Sequence, residues 1–250
     1  ICGYHGWLDW CQAGAGVPHA MLDLRREIGF NDRPALTTAV KESPPLAAIV
    51  VEPVVDAAPD VKWLQALKRA AQGAGAVLVF DEIKTAFRLK RFAVAPDLTV
   101  TGKALGNGYP IAAVSGPAAL MAAATRTWIS STLATEFVSL RAALAVIDVF
   151  EKERVQEKLA AAGARFHTGL TALAAKHTAL VSGVRGVPEM CYLTFPDDKL
   201  SAAVAARAAH HGLLFKRTAY NFVSLAHTDR DLDAVLERLG QALDEVERAC

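Results

Sequence analysis

The sequence lacks several features that would assign a function class directly. None of its four cysteines stands in a C-x-x-C pair, and no group of residues has the spacing of metal ligands, so neither a metal site nor a disulfide framework is predicted. The 27 Lys and Arg nearly cancel the 26 Asp and Glu, which gives no electrostatic reason to expect nucleic acid or an anionic membrane as a partner. The apolar runs are too short to span a bilayer. We therefore expect a soluble, cytoplasmic protein with reduced thiols.

Apolar residues are abundant by contrast, at 52% of the 250 positions. This composition excludes a disordered chain and is typical of one or two folded domains. The sequence begins at Ile1, without Met and without a recognisable targeting peptide, and this start predicts a segment of a longer protein.

Two hydrophobic patterns follow one another along the chain. Up to about residue 124, short apolar runs alternate with amphipathic stretches, which predicts parallel strands joined by helices. The predicted strands are 46–51, 77–80, 98–101 and 111–114, with helices at 60–71 and from Pro117 onward. After Glu136 one long helix is predicted from 137 to about 162, followed by strands 190–195 and 221–225 and helices 202–211 and 231–247. We expect an α/β fold, with a mostly parallel sheet in a partial large domain (1–136) and a long connecting helix with a small C-terminal α/β domain (137–250).

An acid and an amine follow two of the predicted strands. Asp81 comes after strand 77–80, and Lys103 follows strand 98–101 in a glycine-rich segment. The carboxyl ends of parallel strands meet at one edge of the sheet, so both residues should face the same crevice. Such a pair suits pyridoxal 5'-phosphate, because the amine condenses with the aldehyde and the carboxylate keeps the ring nitrogen protonated. Ordinary strand ends without a cofactor are the alternative, and the spacing alone leaves both open.

Six segments, in this order, carry a resemblance to a known family. They are Tyr4-His5-Gly6, Val51-Glu52-Pro53, residues 80–88 (Phe-Asp-Glu-Ile-Lys-Thr-Ala-Phe-Arg), Pro96-Asp97-Leu98, Thr101-Gly102-Lys103 and residues 222–228 (Phe-Val-Ser-Leu-Ala-His-Thr). Together they resemble the motifs of class III, fold type I, pyridoxal phosphate-dependent aminotransferases, and most closely the glutamate-1-semialdehyde 2,1-aminomutase branch. The likeness extends over essentially the whole chain.

The resemblance implies roles for five residues around the cofactor ring. Lys103 would be the catalytic Schiff-base lysine, and Asp81 the partner of the ring nitrogen. Ile83 would pack on one face of the ring and Tyr4 on the other, with His5 beside it.

Two further residues would contact or orient the cofactor. Glu52 would lie near it, and Thr132 aligns with a threonine that reaches the cofactor phosphate of a neighbouring subunit, which implies a homodimer with shared active sites. Three structural alternatives stay open: Thr132 as the cap of the following helix, Glu52 as a helix or loop partner, and Tyr4 as a core aromatic residue.

Departures from the family pattern bear on the reaction. The chain begins after the Ser-Gly-Thr turn that holds the cofactor phosphate in the family, and Ala219 stands where the aminomutases usually have glutamate. We therefore expect an aminotransferase that moves an amino group between a small-molecule amino donor and a keto or aldehyde acceptor. The alternatives are an aminomutase-like isomerase and a catalytically impaired fragment. Lys216 and Arg217 could receive a substrate carboxylate or form a solvated loop.

Overall fold

The structure is a computed structural model that describes residues 6, 10, 11, 14, 16–43, 45–128, 131–134, 136–217 and 219–249. The chain forms two compact units, Ile1–Lys152 and Glu153–Cys250.

The first unit is built on a four-stranded sheet. Helices α1 (His19–Leu22) and α2 (Arg33–Glu42) precede strand β1 (Ala48–Val51), and helix α3 (Val61–Ala74) connects β1 to β2 (Val77–Asp81). Strands β3 (Leu98–Thr101) and β4 (Ala113–Ser115) complete the order β1-β2-β3-β4, in which the first three strands are parallel and β4 is antiparallel to β3. The predicted mostly parallel sheet is confirmed.

Helix α3 begins where the sequence predicts, after Asp60, and extends three residues beyond the predicted end at residue 71. The Asp60 carboxylate accepts a hydrogen bond from the Lys62 N–H at 2.7 Å, and Gly75 ends the helix in the left-handed conformation with φ of 66°, which glycine adopts at little cost. One face of the helix packs on the sheet and forms the core of this unit, whose buried residues include Trp63, Leu64, Leu67, Ala71, Val51, Leu78 and Phe80.

Asp97 ties the sheet to helix α3 at the amino end of β3. Its carboxylate forms an ion pair with Lys68 of α3 and accepts the Leu78 N–H at 2.9 Å. Burial alone would raise the pKa of Asp97, but the hydrogen bonds from Lys68 and Leu78 and the charge of Lys68 outweigh burial and lower this pKa. The ionised carboxylate therefore stabilises the fold.

We expect Asp97→Asn to lower the free energy of unfolding by about 1.5–3 kcal/mol at pH 7, the usual worth of a hydrogen bond to a charged group. Because the pKa is lowered in the folded state, this stabilisation is present above the unfolded pKa of about 3.9 and is lost as the pH falls through the folded pKa. Urea unfolding of both proteins at pH 7 and pH 3 measures the effect. A deficit of equal size at both pH values would contradict this role for Asp97.

A short helix and a longer one complete the first unit. Helix α4 (Ala118–Met121) passes into a 3₁₀ turn at Ala122–Arg126, and helix α5 spans Phe137–Lys152. The Glu136 carboxylate caps α5, because it accepts the N–H groups of Val138 and Ser139 at 2.7 and 2.6 Å. Helix α5 packs against the turn Lys103–Leu105, and Phe150 of α5 contacts Phe87 edge to face with ring centroids 5.2 Å apart.

The predicted single helix from 137 to about 162 is wrong. Helix α5 ends at Lys152, Arg154 takes a left-handed conformation with φ of 51°, and helix α6 (Val155–Lys176) begins after it. Since α5 packs within the first unit, the structural division falls after Lys152, one helix later than the predicted division after residue 136.

The second unit is a small α/β unit. Its strands β5 (Gly183–Val187), β6 (Met190–Thr194) and β7 (Asn221–Phe222) form an antiparallel sheet in this order. Along the chain, helix α7 (Asp198–His210) connects β6 to β7, and helix α8 (Asp229–Ala249) follows β7. Helix α8 packs against α6 and α7. Strand β7 covers only the first two residues of the predicted strand 221–225. Strand β5 was not predicted from the sequence.

Buried His177 links the carboxyl ends of α6 and α8. Its ring is fully buried, and Nδ1 lies 2.8 Å from the Glu247 carboxylate. The Lys176 ammonium contacts Asp244 of α8 at 2.8 Å. These contacts hold the two helices together within the second unit. Among the helices described, none combines the length and apolar character that crossing a membrane requires.

Candidate active site

Three of the predicted site residues lie at one edge of the sheet. Val51 at the end of β1 pairs with Phe80, and Asp81 at the end of β2 pairs with Val100 of β3. Glu52 directly follows β1, Asp81 ends β2, and Lys103 lies two residues beyond β3. Because these three strands are parallel, the side chains emerge at the same carboxyl edge, where ligands bind in open α/β sheets.

Lys103 begins a tight turn at this edge. It has a φ of 43° and an exposed side chain, and its carbonyl accepts the N–H groups of Gly106 and Asn107 at 3.1 and 3.0 Å. Gly106 is required for this turn, because an added Cβ would lie only 2.3 Å from the Tyr109 carbonyl oxygen. The glycine-rich segment therefore fixes the backbone of Lys103 at this edge, from which the exposed side chain extends.

Asp81 and Ile83 occupy the start of the turn that follows β2. The Asp81 carboxylate accepts the Ile83 N–H at 3.1 Å, and the Glu82 N–H donates to the Val100 carbonyl at 2.8 Å. Ile83 faces the β3 side, since a Cβ on Gly102 would meet Ile83 Cδ1 at 3.4 Å. An apolar side chain thus lies beside the residue that precedes Lys103.

Glu82 brings a third carboxyl to this edge, beside those of Glu52 and Asp81. Burial raises the pKa of Glu82, and the positive charge of Arg91 only partly offsets this effect. A raised pKa means that the folded protein binds this proton more tightly than the unfolded chain does.

We expect the stability difference between Glu82→Gln and the parent protein to depend on pH. In the parent protein, the Glu82 carboxyl contributes most to the free energy of unfolding below its unfolded pKa of about 4.3. This contribution is lost as the pH rises through the higher folded pKa. The variant should therefore gain stability relative to the parent between pH 4 and pH 8. Urea unfolding at pH 4, 6 and 8 tests this, and a constant difference would count against a raised pKa.

A buried ion pair at the same edge was not assigned from the sequence. Lys84 Nζ lies 2.9 Å from Glu52 Oε1, and the side chains are 15% and 5% exposed. Lys84 occurs in the segment after β2 that carries the family resemblance, and its place next to Ile83 is the signal that could have drawn attention to it.

The remaining predicted residues lie elsewhere. Thr132 is exposed in the segment 131–134, and Glu136 provides the cap of α5 that was the alternative role for Thr132. Tyr4 and His5 are outside the described residues. Arg217 forms an ion pair with Asp198 and donates to Ser201 Oγ at 3.0 Å, which assigns it a structural contact in the second unit.

The mostly parallel sheet, with the candidate residues at its carboxyl edge, is that of an α/β protein, and the matching solved structures show fold type I. The solved structure of the PLP-containing FumI protein of Sphingopyxis sp. MTA144 superposes with a TM-score of 0.92 and 26% identity, over 99% of this chain and 64% of that chain. The model of the family "Aminotransferase class-III" matches residues 15–243. The chain therefore belongs to the class-III aminotransferase family.

Curated relatives within this family include proteins that catalyse different reactions. A 3-aminobutyryl-CoA aminotransferase of Cloacimonas acidaminovorans is 29% identical over 98% of this chain. A glutamate-1-semialdehyde 2,1-aminomutase of Pyrobaculum islandicum is 31% identical over 93% of this chain. The chain spans 64% and 61% of the lengths of these two relatives.

Proposed function

We propose that the protein is a pyridoxal phosphate-dependent aminotransferase, which moves an amino group between an amine or amino acid and a keto or aldehyde acceptor. The observation that carries this proposal is the placement of Asp81 and Lys103 at the carboxyl ends of adjacent parallel strands, in a chain of the class-III aminotransferase family.

The residues present fit this cofactor. An amine, a carboxylate and an apolar side chain, those of Lys103, Asp81 and Ile83, meet at one edge of the sheet. Glu52 lies at the same edge, at the end of β1. When bound, pyridoxal phosphate supplies an electron sink for the bonds of the substrate carbon that carries the amino group.

Each of these side chains has a defined task in the proposed reaction. Lys103 Nζ binds the cofactor covalently and, as a free amine, takes and returns a proton at the reacting carbon of the substrate. The Asp81 carboxylate holds a proton at the ring nitrogen by its negative charge. Ile83 covers the ring with an apolar surface that excludes water.

The alternative reaction is the amine shift catalysed by an aminomutase, since a relative at 31% identity carries that name. Ala219, where the aminomutases usually have glutamate, favours the aminotransferase. A labelled amino aldehyde supplied to the full-length protein without a second amino donor distinguishes the two. An aminotransferase is expected to convert at most one equivalent per active site, and repeated turnover would show the mutase reaction instead.

We also propose a homodimer in which Thr132 of one subunit reaches the cofactor phosphate bound by the other. Support comes from an apolar surface on and before α5, with Phe137 80% and Leu144 56% exposed. Further exposed members of this surface are Leu133, Val138, Leu140 and Ile147. Apolar surface of this extent is typical of protein interfaces.

Sedimentation of the full-length protein tests the dimer. We expect a dimer at micromolar concentration and dissociation in Leu144→Lys, since a buried charge would oppose association. A monomeric parent protein would overturn the proposal. We propose a cytoplasmic location for this enzyme, which is supported by the buried Cys191 thiol, since it belongs to no disulfide among the described residues.

A further inference from the structure

We propose that Lys84 is a positioning residue of the active site, which acts through its ion pair with Glu52 to fix the turn that carries Ile83. This inference rests on the proposed function, because Ile83 matters here as the residue that packs on the cofactor. No role for Lys84 follows from the sequence pattern.

The turn after β2 lies between two neighbouring strand ends. It is closed by hydrogen bonds from the N–H groups of Thr85 and Ala86 to the Glu82 carbonyl, at 3.2 and 2.9 Å. Consecutive side chains of this turn are held on opposite sides. Ile83 lies against Gly102 at the end of β3, whereas Lys84 reaches Glu52 at the end of β1.

Because the ion pair between Lys84 and Glu52 is buried, it limits the positions that the Lys84 ammonium can take. Exposed ion pairs such as Lys152–Asp148, with side chains 72% and 67% exposed, contribute little and tolerate many geometries. Glu52 and Lys84 are 5% and 15% exposed, so movement of the ammonium away from the carboxylate would leave a buried charge poorly compensated. The ion pair therefore restrains the Lys84 side chain and, with it, the backbone of its turn.

The consequence is a fixed position for the preceding residue. Ile83 belongs to the backbone of this turn. Its side chain packs against Gly102, the residue that precedes Lys103 in the sequence. The Asp81 carboxylate, which accepts the Ile83 N–H, belongs to the same hydrogen-bonded unit. The ion pair to β1 thus orients the apolar surface and the acid that face the cofactor ring.

The experiment compares three variants of the full-length holoenzyme with the parent protein. Lys84→Met removes the ammonium but keeps the length of the side chain, Lys84→Arg keeps the positive charge, and Lys152→Met removes an exposed ion pair of the same unit as a matched control. Three quantities are measured: the cofactor dissociation constant, the visible circular dichroism per bound cofactor at saturation, and the Tm of the apoprotein.

We expect Lys84→Met to raise the dissociation constant at least about tenfold, because small misplacements of contacting groups have effects of this size. Its visible dichroism per bound cofactor should fall, Lys84→Arg should recover most of both quantities, and Lys152→Met should match the parent. A lowered Tm with unchanged dichroism and affinity would show a structural role alone and would overturn the inference. If Lys84→Met does not fold, Lys84→Gln takes its place under the same criteria.

Failure of this inference is separable from failure of the proposed function. If the parent protein does not bind pyridoxal phosphate, the proposed function is wrong. If the parent binds it and Lys84→Met binds it with the same affinity and the same dichroism, only the role of Lys84 is wrong.

Discussion

Lys103→Ala is expected to abolish amino transfer by the full-length protein. The Lys103 amine is the group proposed to bind the cofactor and to move the proton at the substrate carbon, and the Lys103 backbone begins the turn Lys103–Leu105 just after β3. Loss of general acid–base catalysis alone accounts for a decrease in kcat of about 10²–10⁴-fold. We expect the upper end of this range or more, because covalent binding of the cofactor is lost as well.

Single-turnover kinetics with a saturating amino donor measure this effect. Lys103→Arg should be equally inactive, because a guanidinium keeps the positive charge but cannot act as the amine. Lys152→Met, in an exposed ion pair of the same unit, should keep the parent rate. A small primary amine added to Lys103→Ala should restore part of the rate. Activity of Lys103→Ala within tenfold of the parent would exclude Lys103 as the catalytic lysine.

Asp81→Asn is the change with the second largest expected effect. The substitution keeps the shape of the side chain and removes the negative charge that is proposed to hold a proton at the ring nitrogen. Removal of one preorganised electrostatic group usually lowers kcat by about 10²–10³-fold, and we expect a decrease in this range. The cofactor should also bind more weakly, since a favourable charge interaction is lost.

Asp97→Asn is the matched control for this change. Asp97 is also a carboxylate of the parallel sheet, but it lies at the amino end of β3 and pairs with Lys68. It should lower stability with little change in kcat, whereas Asp81→Asn should lower kcat with little change in stability. Equal effects of the two variants on kcat would mean that the loss in Asp81→Asn comes from the fold and not from the site.

The edge of the sheet was predictable because its strands carry strong local signals. The run Leu98–Thr101 is apolar and β-branched and is bounded by Pro96-Asp97 and Gly102-Lys103, and the strand has these bounds in the structure. A helix joins β1 to β2 and accounts for their parallel order. No helix occurs in the described stretch between β2 and β3, so the parallel pairing that brings Asp81 and Lys103 to one edge was expected from the run of buried strands and is confirmed by the structure. Their roles toward a cofactor came from the family resemblance and stay predictions.

Other features depend on interactions that no local pattern shows. Strand β5 was missed because Gly183 and Gly186 interrupt its apolar alternation, although Gly186 is needed where an added Cβ would lie 2.2 Å from the Met190 carbonyl oxygen. The break at Arg154 carries no glycine or proline signal. The pairing of Glu52 with Lys84 depends on how the turn after β2 folds back toward β1, which only the structure shows.

The most direct test of the account is borohydride reduction of the full-length holoenzyme followed by peptide mapping. Reduction fixes the cofactor to the amine that binds it, and Lys103 and Lys84 both lie near the carboxyl edge of the sheet. We predict a single pyridoxyl group, on the peptide that contains Lys103. A pyridoxyl group on Lys84 or on any other lysine, or none at all, would contradict the account.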